Sequence, residues 1–183
     1  MPNPNHGIKV YKNGDYKTVN HYLRKIRGVR REYLPNGALL EQWKIDMIKK
    51  IIQNIDERMV PDVRAQFAVL YRGTSPEEFG LKSIGRITGL IGKRLRWKSY
   101  TSTSDQLRCA EKYSSGGVIL EIETSPAVSY IDLRSYIELK HTRTEPEILL
   151  ARNTQYRITG VDSIPGKRYI YVKVQLIGTY PDT

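Results

Sequence analysis

The chain has 183 residues, of which 39% are hydrophobic and 27% charged, a balance that suits one folded domain over residues 1–183 and excludes a disordered or fibrous polymer. A single cysteine, Cys109, allows no internal disulfide and no thiolate metal cluster, and three scattered histidines supply no zinc site, so no metal is expected. The formal net charge is +11, and the longest apolar runs, such as residues 148–151, are far short of a membrane span. With no charged-then-apolar leader at the start, a soluble, cytoplasmic protein with no membrane partner is expected. Its chemistry has to come from carboxylates, hydroxyls and guanidinium groups.

Residues 1–14, rich in Pro, Asn and Gly, read as an irregular start. Over residues 16–27, Tyr16, Val19, Leu23 and Ile26 recur at helical spacing with basic residues on the other side, and Arg24, Lys25, Arg27, Arg30 and Arg31 form a first basic block. After the turn at Pro35-Asn36-Gly37, a helix of about five turns is predicted by Leu40, Trp43, Met47, Ile48, Ile51, Ile52, Ile55 and Met59, ending before Pro61. Beyond Pro61 the pattern becomes extended. Residues 66–71 read as a buried strand that delivers Arg72 at its end, and residues 81–91 as a short helix and loop.

Between Glu78 and Asp105 lie Lys82, Arg86, Lys93, Arg94, Arg96 and Lys98 without an acid, a block that favours anionic ligands: a phosphate cofactor, nucleic acid or an acidic protein. Trp97 and Tyr100 beside it either stack bases or belong to the core. Residues 100–104 read as a strand, and Ser104 or Asp105 as the cap of a helix over residues 106–113. Further strands are predicted at residues 118–122, 128–133, 147–151, 155–161 and 168–177. The last alternates Ile170, Val172, Val174 and Leu176 against Tyr169, Tyr171, Lys173 and Gln175. Helices followed by many strands give an α+β fold, N-terminal helices packed on a two-sheet, mostly antiparallel β core.

One pair of acids stands out. In Glu145-Pro146-Glu147-Ile148-Leu149-Leu150, proline disfavours helix for the residue before it, and an extended backbone would put Glu145 and Glu147 on one side, roughly 7 Å apart. Upstream stand Leu70-Tyr71-Arg72-Gly73 and Tyr100-Thr101-Ser102-Thr103-Ser104, each on a predicted strand. The three motifs in this order resemble the arginine, serine, glutamate class of mono-ADP-ribosyltransferases, which includes clostridial binary toxins, vertebrate ecto-transferases and the transferases of T-even phages. The resemblance extends to residues 151–158 and to the helix at residues 16–24, and so covers roughly residues 16–178.

The resemblance implies cleavage of the nicotinamide–ribose bond of NAD, used as co-substrate, and transfer of ADP-ribose to an acceptor. On the matching residues, Glu147 would bind the ribose 2′-hydroxyl and stabilise an oxocarbenium-like centre. Arg72 would hold the pyrophosphate, Gly73 would let the backbone approach the nicotinamide amide, and Ser102 would hold Glu147 and the ribose in register. Thr103 and Ser104 fall in the same cofactor-binding strand and support it and the turn after it. Glu145, two positions before Glu147, implies arginine of a target protein as the default acceptor, with the second carboxylate acting as general base.

Two features depart from that pattern. The toxin-like members carry an aromatic residue five positions before the catalytic glutamate, where this chain has Thr142; the nearest aromatic residue is Tyr136. The acceptor loop also carries Lys140, His141 and Arg143, which repel an arginine and attract phosphate. RNA is therefore an alternative acceptor, and a non-catalytic basic module that binds ADP-ribose or RNA is an alternative function. The resemblance fits an intracellular toxin, a phage enzyme that modifies its host, or a toxin with an antitoxin or immunity protein as partner.

Overall fold

The structure is a computed structural model that describes residues 6–12, 16–24, 41–136, 146–163 and 165–180. Among the described residues the longest helix, α3 (Gln42–Asp56), buries Ile45, Ile48, Ile51, Ile52 and Ile55 along one apolar stripe. Two short helices lie on the stripe: α1 (His6–Val10), which contributes Ile8, and α2 (Tyr16–Arg24), which contributes Val19, Tyr22 and Leu23. Tyr100, Ile131, Leu133 and Leu149 close this first core from the β side. Trp43, expected in the stripe, is 59% exposed, and its indole donates to Glu41 Oε2 at 2.9 Å. Its position is about 140° around the helix from Ile48, which removes it from the buried face.

Among the described residues, eight strands form two sheets. They are β1 (Val69–Thr74), β2 (Arg94–Trp97), β3 (Thr101–Thr103), β4 (Val118–Glu123), β5 (Tyr130–Asp132), β6 (Ile148–Leu150), β7 (Thr154–Ser163) and β8 (Ile170–Thr179), with helix α4 (Leu107–Lys112) between β3 and β4. One sheet has the order β1-β4-β8-β7-β2, antiparallel except for the β4–β8 pair, and the other the order β3-β6-β5, antiparallel throughout. Tyr71 and Ser104 exchange backbone hydrogen bonds of 2.7 and 2.9 Å, which fasten β1 of the first sheet to the end of β3 in the second.

The apolar run Ile148-Leu149-Leu150 is buried throughout because β6 is covered on both faces. Leu149 points into the helical core, while Ile148 and Leu150 join Leu70, Leu120, Val172 and Val174 in a second core formed with the larger sheet. A strand held from both sides is a rigid mount for the residue that enters it, Glu147.

The structure moves some predicted elements. β1 lies three residues later than expected, so Arg72 sits within the strand instead of at its end. The acid-free basic block contains an unforeseen strand, β2, in which Arg94 and Arg96 are exposed while Leu95 and Trp97 turn inward. Trp97 and Tyr100 are core residues that stack no bases: Trp97 is 7% exposed and lies on Tyr156 at 4.1 Å, and Tyr100 is 2% exposed with its hydroxyl on Asp56 Oδ1 at 2.6 Å. The last three residues of the helix predicted over 16–27 and the first basic block beyond Arg24 lie outside the described residues, as do Lys140, His141, Thr142, Arg143 and Glu145.

Candidate active site

Three strands bring Arg72 (β1), Ser102 (β3) and Glu147 (the residue before β6) to one cavity of about 680 Å³. In β3, Thr101 and Thr103 are buried and Ser102 is exposed, as strand alternation requires. Thr103 Oγ1 donates to the Ile148 carbonyl at 2.7 Å and locks β3 to β6. From the other side the Leu133 N–H donates to the Glu147 carbonyl at 3.0 Å. With both its backbone and its neighbours fixed, Glu147 points its side chain into the cavity, where Ser102 Oγ donates to Oε1 at 2.7 Å and Lys12 forms an ion pair with Oε2.

Arg72 is held by a carboxylate that sequence reasoning did not single out. Glu78, in the short 3-10 turn Pro76–Phe79, accepts from Arg72 Nε at 3.3 and 3.2 Å, from Arg72 Nη2 at 3.1 Å, from Trp97 Nε1 at 2.7 Å and from Thr74 Oγ1. Burial pushes the Glu78 carboxyl up, but the Arg72 guanidinium, its hydrogen bonds and those from Thr74 and Trp97 outweigh it and hold the group below its ordinary value. Arg72 Nη1 donates to the Ser102 carbonyl at 2.8 Å. A guanidinium carries five N–H donors. Nε, Nη1 and Nη2 each direct one inward, which leaves one on Nη1 and one on Nη2 for an anion in the cavity.

Aromatic residues complete the walls. Tyr11, just after α1, is buried, receives the Asn20 amide on its hydroxyl at 3.0 Å, and meets Tyr100 edge-on with centroids 5.8 Å apart. Burial pushes its hydroxyl up to about 12, so Tyr11 stays neutral. Tyr113, 63% exposed, stands at the cavity on the side of α4. The cavity therefore offers two guanidinium N–H donors, aromatic surface, and a carboxylate aligned by a hydroxyl.

Of the other predicted residues, Gly73, Thr103 and Ser104 line the cavity. The Thr103 and Ser104 side chains are buried, with Ser104 Oγ accepting from the Gln106 N–H at 3.1 Å, so both support the strand and the turn. A Cβ on Gly73 would stand 2.0 Å from the Ala110 carbonyl oxygen and 2.7 Å from the Ser114 nitrogen, so glycine there is required by α4 and the turn that follows it. Tyr136 is half-buried against the helical core. Sequence reasoning missed Lys12, Tyr11 and Asn20, which come from the start of the chain that read as irregular or as an ordinary amphipathic helix. Among the described residues no group of three or more His, Cys, Asp or Glu could hold a metal, and no helix is long and apolar enough to cross a membrane.

The chain matches the family described as ADP-ribosyltransferase exoenzyme over residues 2–178. Among solved structures it is similar to the enzymatic component C2-I of the C2 toxin from Clostridium botulinum, at 20% identity and a TM-score of 0.70, covering 97% of this chain and 44% of that one. It is also similar to BECa, an ADP-ribosylating toxin of a binary enterotoxin of C. perfringens solved with NADH, at 19% identity and a TM-score of 0.68, again covering 97% and 44%. A third similar structure is the ADP-ribosyltransferase Vis from Vibrio splendidus in complex with agmatine, at 19% identity and a TM-score of 0.64, covering 97% of this chain and 75% of that one. At these identities the likeness establishes the α+β fold, and the chain spans less than half of the two clostridial components. No curated protein matches the chain.

Proposed function

Because the chain belongs to the ADP-ribosyltransferase exoenzyme family, we propose that it cleaves the nicotinamide–ribose bond of NAD and transfers ADP-ribose to a guanidinium acceptor, by default an arginine of a target protein, as a toxin or phage enzyme acting inside a cell. The observation that carries this reading is the Ser102–Glu147 hydrogen bond of 2.7 Å in the same cavity as Arg72. NAD supplies the ADP-ribosyl group and a leaving group, nicotinamide, that departs with the electron pair of the broken bond.

The residues present fit that co-substrate. The two free Arg72 N–H groups suit pyrophosphate oxygens. Glu147 would place a carboxylate where positive charge develops on the ribose, with Ser102 fixing one oxygen and the other, which Lys12 contacts, left to meet the sugar. Bond formation from the acceptor nitrogen releases one proton, which Glu145 would take as general base. The agmatine bound to Vis is itself a guanidine, which favours the guanidinium reading over RNA.

Incubation with labelled NAD and agmatine, followed by chromatography of nicotinamide, ADP-ribose and ADP-ribosyl-agmatine, tests both levels. Nicotinamide release with a labelled agmatine adduct supports the proposal. Release with free ADP-ribose alone would reduce it to NAD hydrolysis, and label in nuclease-sensitive material of a lysate would move the acceptor to RNA. No release, with Glu147→Gln identical to wild type, would leave a binding module.

A further inference from the structure

Most described arginines near the core have a counter-charge: Arg72 with Glu78, Arg134 with Asp105 and Asp132, Arg152 with Asp56. The outer side of β2 is different. Strand β2 lies at the end of the five-stranded sheet, and its register sets Arg94 directly opposite Arg157 and Arg96 opposite Gln155 on the face away from the core. Like charges facing each other across a strand pair oppose pairing. Among the described residues, Arg94, Arg96 and Arg157 have no hydrogen-bond or ion-pair partner, and the Arg157 Nε is buried without an acceptor. Lys93, beside them, is exposed.

We propose that this face, formed by Arg94, Arg96 and Arg157 with Lys93 beside them, binds the phosphodiester backbone of a nucleic acid strand. An anion between Arg94 and Arg157 turns a repulsive pair into a clamp. Guanidinium forks match phosphate oxygens, and residues two apart on β2 stand roughly 7 Å apart along a line, as a row of repeating phosphates requires. An acidic protein would match that row only with acids at alternate positions of an exposed strand, whereas a nucleic acid strand carries a charge at every nucleotide. Because Trp97 and Tyr100 are buried, no aromatic platform from this segment reads bases, and binding is backbone-led and independent of sequence. The face lies outside the NAD cavity and does not rest on the proposed reaction.

The test is fluorescence anisotropy of the full chain with a labelled 20-nucleotide RNA and the DNA of the same sequence, over a salt series. The double variant R94Q/R96Q is expected to bind about tenfold more weakly, with a salt slope smaller by about 1.4, since each single-strand phosphate contact contributes roughly 0.7. R94K/R96K should stay within about threefold of wild type, and K49Q/K50Q, on the exposed side of α3, should be unchanged. NAD cleavage measured on R94Q/R96Q should equal wild type, so an inactive enzyme that still binds nucleic acid counts against the proposed function only. The inference is overturned by absent binding to both strands, by R94Q/R96Q binding like wild type, by an equal loss in K49Q/K50Q, or by polyglutamate competing as well as RNA.

Discussion

Ser102 joins the two halves of the candidate site through different atoms: its hydroxyl donates to Glu147 Oε1 at 2.7 Å, and its carbonyl accepts from Arg72 Nη1 at 2.8 Å. One residue of β3 thus sets the distance between the group suited to phosphate and the carboxylate suited to the ribose. Glu147→Gln should lower NAD cleavage by roughly 10²–10³, the range for removing one electrostatic contact to a developing charge. Ser102→Ala should cost less, about tenfold, because it frees Glu147 without removing it. Calorimetric NAD affinity should stay within about threefold in both, since the carboxylate acts in the transition state. A parallel collapse of affinity would assign Glu147 to ground-state binding instead.

The second oxygen of Glu147 is occupied by Lys12. In the proposed reaction a ribose hydroxyl would have to share Oε2 with that ammonium or displace it, so Lys12 would compete with the co-substrate at one atom. Lys12→Met should lower KM for NAD by about twofold to fivefold with kcat little changed, equivalent to the roughly 0.5–1 kcal/mol of a partly exposed ion pair. Steady-state kinetics over an NAD series reads this directly. A higher KM would show that Lys12 helps to hold NAD.

Glycine at position 73 separates two explanations of one residue. Its absent side chain faces the Ala110 carbonyl and the backbone at Tyr113 and Ser114, none of which can yield as a flexible side chain would. Gly73→Ala should therefore destabilise the fold by at least about 2 kcal/mol, roughly 4–8 °C in Tm for a chain of this size. A variant with normal Tm and weakened NAD binding would restore the reading that glycine serves close approach to the nicotinamide.

What was legible in the sequence follows from how local each signal is. Ser102 and Glu147 sit in or beside short strands whose alternation or apolar run decides where they point, so their order along the chain was enough. The helical core was legible from the isoleucines of α3, but placing Trp43, also largely apolar, required the angle of the burying face. Glu78 was not legible. Its role arises from donors on β1 and from Trp97 on β2, a strand hidden within a block that read only as charge. Lys12 and Tyr11 were hidden because their role depends on where the chain start folds back, which no local pattern encodes.

Glu78 also makes a prediction about pH. It is ionised and half-buried, with Arg72, Thr74 and Trp97 as its donors. Glutamine at this position removes the charge and turns one acceptor into a donor that faces the Trp97 or Arg72 N–H groups. The Arg72 fork then loses its anchor while keeping the Ser102 carbonyl, so Glu78→Gln should reduce kcat/KM by about ten- to a hundredfold, mostly through KM. Because the folded pKa lies below the ordinary 4.5, the charged form stabilises the fold at pH values above 4.5, and that stabilisation disappears as pH falls through the lower folded value. The Tm gap between wild type and Glu78→Gln should therefore be constant from pH 7 to about pH 5 and narrow towards pH 3. A gap that stays the same down to pH 3 would mean that Glu78 stabilises the fold by shape and hydrogen bonding alone, without its charge. Glu78→Asp, which keeps the charge but shortens the reach, should recover part of the Tm but little of the KM, because the fork of Arg72 follows the position of the carboxylate.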